Sequence, residues 1–138
     1  MAKNVMKRIQ FVIMIIIVSN FVNACGQLQK NKNKMDIASV DSILIIKYLP
    51  NTVAKTPRNL TSRQIKTFVT DWNNSVSHGM CKYFQEYRLI VFQNDRTKRT
   101  FRANGKNIKE ESDVCFNIGE DSYFNKLYEN AFNCTDMQ

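Results

Sequence analysis

The hydrophobic positions between residues 37 and 132 recur at two spacings, which divide this part of the chain into strands and helices. Residues 37–49 are rich in β-branched side chains, are apolar on both faces at their centre and stop at Pro50, so they predict a strand in the interior of a sheet. Alternating apolar positions and turn residues predict three more strands, at residues 83–92, 97–103 and 106–109. In residues 83–92 the alternation gives two faces, with Tyr83, Tyr87, Leu89 and Val91 on one and Phe84, Arg88, Ile90 and Phe92 on the other.

A helix is predicted between the first two of these strands. Thr61 and Gln64 have the spacing of a capping box, in which each side chain satisfies a free amide at the start of a helix. The residues that follow place four large apolar side chains on one helical face: Ile65, Phe68, Val69 and Trp72. This face is expected to pack on the sheet, with Trp72 in the core and not exposed for recognition.

The last third of the folded region has a hairpin signal and a second helix. Asn104-Gly105 predicts a two-residue turn with positive φ at both positions. Residues 115–118 are open to two interpretations, an edge strand or the lead-in to a helix. That helix is expected to begin near residues 119–121, whose acids suit its positive end. Its buried stripe is predicted to be Phe124, Leu127, Tyr128 and Ala131.

Together these elements predict an α+β fold. We expect a mainly antiparallel sheet of about four strands with two helices packed on one face, in the order β-α-β-β-β-α. Residues 37–138 are predicted to form a single α+β domain. Only four glycines and two prolines are present and no block repeats, which argues against loop-dominated and repeat architectures.

Residues 1–24 have the pattern of a signal peptide and are excluded from this fold. The basic Lys7-Arg8 precedes an apolar run at residues 11–18, which is shorter than the roughly 20 residues that a membrane-spanning helix needs. The small residue Ala24 then stands directly before Cys25. Two other interpretations of this region remain open. One is an uncleaved membrane anchor, and the other is an ordinary cleaved signal after which Cys25 occurs by chance.

The segment Val22-Asn23-Ala24-Cys25 resembles the lipobox of bacterial lipoprotein precursors, although Asn23 departs from the usual small or aliphatic residue. The resemblance implies that Cys25 carries acyl chains such as palmitate and becomes the first residue of the mature protein. The domain would then face the periplasm or cell exterior from a bacterial membrane, with the outer membrane favoured. Residues 25–36, polar and rich in Lys and Asn, are the expected lipidated Cys and flexible tether, and lysines that lie against anionic headgroups are the alternative to a solvated spacer. In plan, the chain is similar to small envelope lipoproteins with one α+β domain.

The charge of the chain is moderate once this signal is set aside. The whole sequence has 20 basic and 12 acidic residues, and the signal contributes Lys3, Lys7 and Arg8 but no acid, so the mature chain has a net charge of +5. Nucleic acid is not an expected partner because the inferred compartment lacks it. No cofactor is expected, since no glycine-rich phosphate-binding loop is present.

The remaining cysteines are expected to oxidise in this compartment. Cys81–Cys115 is the favoured disulfide because the hairpin brings Cys81 close to the later strand, which leaves Cys134 as a free thiol. His78 with Cys81, Cys115 and Cys134 has poor spacing for zinc, so no metal site is predicted. No catalytic residues are assigned. An enzyme becomes credible only if His78, Asp71 and a free cysteine converge in one pocket.

Five cations around the predicted hairpins form the candidate binding patch: Arg96, Lys98, Arg99, Arg102 and Lys106. Such a patch suits an acidic glycan, a phosphorylated lipid headgroup or an acidic protein, and its affinity would weaken with salt. The alternative is that these charges protect strand edges from aggregation.

Two non-enzymatic functions remain open beside a small envelope enzyme. The first is a non-enzymatic, membrane-anchored lipoprotein that binds an envelope protein or a glycan. The second is an immunity or inhibitor lipoprotein that blocks a toxin or lytic enzyme by inserting a loop, either residues 53–59 or residues 94–98.

Overall fold

The computed structural model describes residues 30–50, 54–112 and 114–133, and the predicted signal peptide, Cys25 and Cys134 lie outside these residues. Its eight strands form a single antiparallel sheet in the order β3-β7-β6-β5-β4-β1-β2-β8. In chain order the elements are β1 (Val40–Lys47), β2 (Arg58–Asn59), α1 (Ser62–Asn74), β3 (Val76–Met80), β4 (Tyr87–Gln93), β5 (Lys98–Asn104), β6 (Asn107–Lys109), β7 (Val114–Asn117), α2 (Tyr123–Glu129) and β8 (Phe132–Asn133). The α+β class is therefore confirmed, and the expected number of about four strands is wrong.

The strands that the sequence missed are short or irregular. β2 and β8 have two residues each, too few for any alternation. β3 contains Gly79 and has an irregular register with β7. The residues of β7 form an internal strand between β3 and β6, not an edge. The expected order β-α-β-β-β-α is accordingly incomplete.

The first predicted strand is shorter than expected at both ends. Residues Ile37–Ser39 form a 3-10 turn, because the side chain of Asp36 accepts a hydrogen bond from the Ala38 amide and starts the turn. β1 then pairs with β4 over most of its length. Their residues are the centre of the sheet, as the apolar run at residues 43–46 predicts.

Helix α1 follows its sequence signal closely. The hydroxyl of Thr61 accepts a hydrogen bond from the Gln64 amide, and the Gln64 side chain accepts one from the Thr61 amide, so the capping box is formed. Phe68, Val69 and Trp72 are buried, and Ile65 packs against them at the edge of the core. The prediction that Trp72 belongs to the core is confirmed.

Helix α2 begins later than predicted. It starts at Tyr123, so Glu120 and Asp121 precede its first turn instead of occupying it. Gly119 has a φ of +61°, and a Cβ atom at this position would collide with the ring of Tyr123. The chain therefore turns at Gly119 before the helix can form. Its buried residues are Phe124, Leu127 and Tyr128, while Ala131 lies beyond its end and packs against the core.

Both helices cover the same face of the sheet. The ring of Trp72 from α1 lies 4.9 Å from that of Phe101, and the ring of Phe124 from α2 lies 6.0 Å from that of Tyr87. Phe101 is paired with Leu89, two residues from Tyr87, so these side chains project from one face. The alternating strand residues on this face complete the core: Ile43, Ile45, Leu89, Val91, Phe101, Ala103 and Ile108.

The hairpin between β5 and β6 is confirmed, with a different turn. Asn104 pairs with Asn107, so the two loop residues are Gly105 and Lys106 instead of Asn104-Gly105. Gly105 has a φ of +57°, and Arg96 is the only non-glycine residue in the described part of the chain with a positive φ. Glycine at the first loop position is typical of a type II′ turn.

The expected flexible tether does not extend through residue 36. Asn31 and Met35 are buried, and the Asn31 side chain donates hydrogen bonds to the Trp72 carbonyl and the Ser75 hydroxyl. The indole nitrogen of Trp72 in turn donates to the Asn33 carbonyl, 2.8 Å away. Residues 31–35 therefore belong to the domain, because the end of α1 satisfies their polar groups.

Candidate functional site

The structure separates the five predicted cations. Arg99 projects to the helix-covered face, where its guanidinium donates to both carboxylate oxygens of Glu110 at 2.7 and 2.8 Å. It also donates to the Asn33 carbonyl at 3.0 Å and the Lys34 carbonyl at 3.3 Å. Arg99 is thus a structural residue that holds the N-terminal segment, and the prediction that it belongs to a binding patch is not supported by its contacts.

Arg96 and Lys106 lie at opposite ends of β5. Arg96 is exposed in the turn between β4 and β5, whereas Lys106 is exposed in the next hairpin, with its ammonium group 3.9 Å from a carboxylate oxygen of Asp121. These two residues do not form one patch with the others. Lys98 and Arg102 alone remain together, on the sheet face that the helices leave uncovered.

This uncovered surface, called here the open face, comprises the outward positions of the three central strands: Leu44, Ile46, Arg88, Ile90, Phe92, Lys98, Thr100 and Arg102. Leu44 pairs with Ile90, and Ile90 pairs with Thr100 on β5. Phe92 pairs with Lys98 and is 39% exposed. Apolar side chains therefore form the middle of the open face.

A row of three cations crosses the open face. Arg88 pairs directly with Arg102, and Arg102 pairs with Lys109 on β6. Like charges in directly opposed positions repel each other. Among the described residues, no carboxylate lies within 4 Å of Arg88 or Arg102 to offset this repulsion.

Arg88 and Lys109 are the members of this row that the sequence did not single out as binding residues. The guanidinium carbon of Arg88 lies 5.4 Å from the centre of the Tyr48 ring, and its Nε atom is buried without a hydrogen-bond partner in the described structure. The strand alternation predicts Arg88 on the face opposite Tyr87 and Leu89, and the register with Arg102 brings the charges together.

The connection between β3 and β4, residues 81–86, crosses part of the same side of the sheet. Cys81 is disulfide-bonded to Cys115 in β7, with their Cα atoms 5.8 Å apart. Tyr83 donates its hydroxyl hydrogen to the Arg102 carbonyl at 2.6 Å, and its ring lies below the ammonium group of Lys109. Burial raises the pKa of Tyr83 to about 12. This crossing segment covers the β7 and β6 side and leaves β4 and β1 uncovered.

The disulfide is the pair that the sequence favoured. It uses two of the sulfurs in the poorly spaced set of possible zinc ligands, and the structure contains no group of three metal-ligating side chains among its described residues. His78 instead shares a hydrogen bond with the Asn107 side chain at 3.0 Å. Asp71 accepts a hydrogen bond from the Tyr123 hydroxyl at 2.8 Å, so the two residues have different partners.

The turn between β4 and β5 is closed by backbone and side-chain hydrogen bonds. Gln93 and Thr97 are joined by a backbone hydrogen bond of 2.9 Å, which closes a three-residue loop. The Asp95 carboxylate accepts hydrogen bonds from the Thr97 hydroxyl and amide, which lower the pKa of Asp95. The Asn94 amide donates to the Ser39 carbonyl. The other loop that could insert into a toxin or lytic enzyme is residues 53–59. It begins outside the described residues, and its residues 54–57 are exposed.

A cavity of about 440 Å³ adjoins the open face at its Tyr48 end. Its apolar lining is supplied by Tyr48, Leu49, Pro50 and Phe84, and Phe84 is 65% exposed. Its polar lining is mixed in charge, from Lys47 and Glu86. The cavity therefore extends the apolar surface of the open face.

None of the helices in the described part of the chain is long and apolar enough to cross a membrane. Comparison of the chain with protein-family models, with curated proteins and with solved structures finds no match.

Proposed function

We propose that this chain is a lipid-anchored protein of the bacterial cell envelope whose non-enzymatic domain binds an acidic protein through the open face. The observation that carries the binding proposal is the cross-strand pair of Arg88 and Arg102 beside the apolar pair of Leu44 and Ile90. The anchor follows from the lipobox-like sequence at Cys25.

The composition of the open face favours binding over simple solvation. An antiparallel sheet with one covered face is normally apolar inside and polar outside. Here the outer positions of central strands include Leu44, Ile46 and Ile90. An apolar surface of this kind next to charged groups is typical of interaction sites.

Protection against aggregation does not explain the cations. Charges serve that purpose on edge strands, where unpaired backbone groups are exposed. Arg88 and Arg102 lie on β4 and β5, and each of these strands is paired on both sides. Their repulsion destabilises the free domain, and a negatively charged partner would relieve it.

A protein is a better match than a glycan for this surface. Protein interfaces combine an apolar centre with aromatic and arginine side chains. Phe92, Ile90 and Leu44 supply the apolar part, and Arg88 and Arg102 supply the charge. An acidic glycan would form ion pairs with the arginines but would offer no apolar surface to contact the apolar side chains.

The binding proposal is tested by crosslinked pull-down from intact cells. The Arg88→Glu/Arg102→Glu variant is expected to lose a captured protein that the unmodified chain retains at low salt and releases as salt screens the charges. The matched control is Arg63→Glu/Lys66→Glu, which reverses two exposed charges on α1. Equal capture by both variants contradicts the proposal, and so does capture of a glycan in place of a protein.

The anchor is tested separately by metabolic labelling with a fatty-acid analogue. The unmodified protein is expected to carry the label and to remain in the membrane fraction, because several acyl chains hold a protein on a bilayer almost permanently. The Cys25→Ser variant is expected to lose both. Label or membrane retention that persists unchanged in this variant contradicts the anchor.

The inhibitor function remains a second candidate because of Arg96. This residue has a φ of +67° in the hydrogen-bonded turn between β4 and β5. A left-handed backbone conformation is strained for arginine and unstrained for glycine. Such strain is concentrated at functional positions. A co-purified toxin or lytic enzyme whose inhibition requires Arg96 would support this function over the first.

A further inference from the structure

The N-terminal segment fixes which edge of the sheet lies nearest to the proposed anchor. The backbone of Lys30 forms a bridge with Val76 at the start of β3, and the Asn31 amide donates to the Ser75 carbonyl at 3.1 Å. Cys25 precedes Lys30 by five residues. Five extended residues reach at most ~18 Å, so an acyl chain at Cys25 holds the β3 edge close to the bilayer.

The chemistry of this edge differs from that of an ordinary exposed strand. Met80 pairs directly with Val114 across β3 and β7, and these two apolar side chains are 78% and 37% exposed. Lys30 and Lys32 are exposed and line a surface cavity together with Val114, and the exposed Lys82 follows Met80 by two residues. These five residues are called here the tether edge.

The lysines of the tether edge keep their charge available. None of the three forms an ion pair with a carboxylate in the described structure. Glu110, the nearest acid to β6 in the chain, is held by Arg99, while Glu111 is exposed on the connection to β7. Basic residues close to an anionic membrane surface are attracted to it.

We propose that the tether edge lies on an anionic phospholipid bilayer, with Met80 and Val114 among the headgroups and the lysines against the phosphates. Apolar side chains flanked by lysines are the combination that interfacial membrane binding requires. This orientation rests on the proposed lipid anchor. It places β4 four strands, or about 19 Å, from the bilayer-facing edge, which leaves the open face accessible to a partner.

The orientation can be measured with a tryptophan introduced as a fluorescent probe. Trp72 is the only tryptophan of the chain and is fully buried, so it gives a constant background. The full-length protein is expressed as Met80→Trp or as the control Phe92→Trp, purified with its lipid and reconstituted in phosphatidylglycerol vesicles with brominated acyl chains. We expect the tryptophan at position 80 to lose emission by bromine quenching and the one at position 92 to retain it.

Quenching that is equal at the two positions, or stronger at position 92, overturns the orientation. The charge contribution is tested by adding Lys30→Glu/Lys82→Glu to Met80→Trp, which is expected to reduce quenching, with Lys66→Glu as a control that leaves it unchanged. Unchanged quenching in the double variant overturns the role of the lysines.

The intact mass of the purified protein separates this inference from the proposed function. A protein without acyl chains overturns the anchor and the orientation together. An acylated protein whose tryptophan at position 80 is not quenched overturns the orientation alone.

Discussion

The side chain of Asn73 is hydrogen-bonded twice to the backbone of Met35. Its Oδ1 accepts from the Met35 amide and its Nδ2 donates to the Met35 carbonyl, both at 2.7 Å. The Asn73 side-chain amide thus forms the pair of hydrogen bonds that a neighbouring strand would form with an extended segment. With the Trp72 and Arg99 contacts to Asn33, it makes residues 31–35 part of the domain.

We predict that Asn73→Ala releases this segment while leaving the core intact. Two hydrogen bonds contribute roughly 1–3 kcal/mol together, so the free energy of unfolding should fall by about that amount or less. The Met35 amide should exchange its hydrogen faster, as measured by hydrogen–deuterium exchange. Asn74→Ala is the control, because Asn74 is the exposed next residue of α1. Equal exchange at Met35 in the two variants contradicts the assignment.

The disulfide between Cys81 and Cys115 is predicted to stabilise the domain substantially. It joins residues 34 positions apart, and closing a loop of this length contributes about 3–4 kcal/mol by the chain-entropy account. The Cys81→Ser/Cys115→Ser variant should unfold at a correspondingly lower denaturant concentration. Reduction of the unmodified protein provides a second measurement. A variant as stable as the oxidised protein would show that the crossing segment does not depend on this bond.

The parts of the fold that could be predicted are those encoded by neighbouring residues. Helix α1 has its capping box and apolar face within twelve consecutive positions, so local spacing was sufficient. The docking of Asn31 on Trp72 joins residues 41 positions apart through polar groups. No hydrophobic pattern reports such a contact.

The candidate site was predicted only in part for a similar reason. Arg99 and Arg102 are three residues apart on one strand, and a period of two places them on opposite faces. Their proximity in the chain alone suggests a single group. The row of Arg88, Arg102 and Lys109 depends on the register of three strands, which the hairpin signals indicated without fixing.

Alkaline pH is predicted to destabilise the domain through its buried tyrosines. Burial raises the pKa of Tyr83 to about 12, whereas the unfolded chain ionises near its ordinary value of about 10. Burial also raises the pKa of Tyr87 and Tyr123, with additional contributions from Glu86 and Asp71. The folded state therefore keeps protons that the unfolded state loses.

The free energy of unfolding should accordingly be unaffected by these groups below about pH 10 and should fall between about pH 10 and 12. Denaturant unfolding across this range measures the effect, and Tyr83→Phe should show a smaller decrease because it has no proton to lose. The same decrease in the variant would contradict the contribution of Tyr83.

Arg96→Gly is predicted to stabilise the domain. A left-handed backbone conformation destabilises a non-glycine residue by roughly 1–2 kcal/mol, and glycine removes this strain. Glycine also increases the conformational entropy of the unfolded chain, which offsets about 0.5–1 kcal/mol of the gain. The net gain should be up to about 1.5 kcal/mol in thermal or denaturant unfolding. Arg96→Ala keeps the strain and should be close to neutral. Destabilisation by Arg96→Gly would contradict strain at this turn.

Photocrosslinking in intact cells shows whether the open face binds a partner. A photoreactive phenylalanine derivative replaces Phe92 on the open face or, as the control, Thr70 on the exposed side of α1. We expect an adduct with an acidic protein from position 92 and none from position 70. An adduct from position 70 alone, or equal adducts from both positions, would contradict binding through the open face.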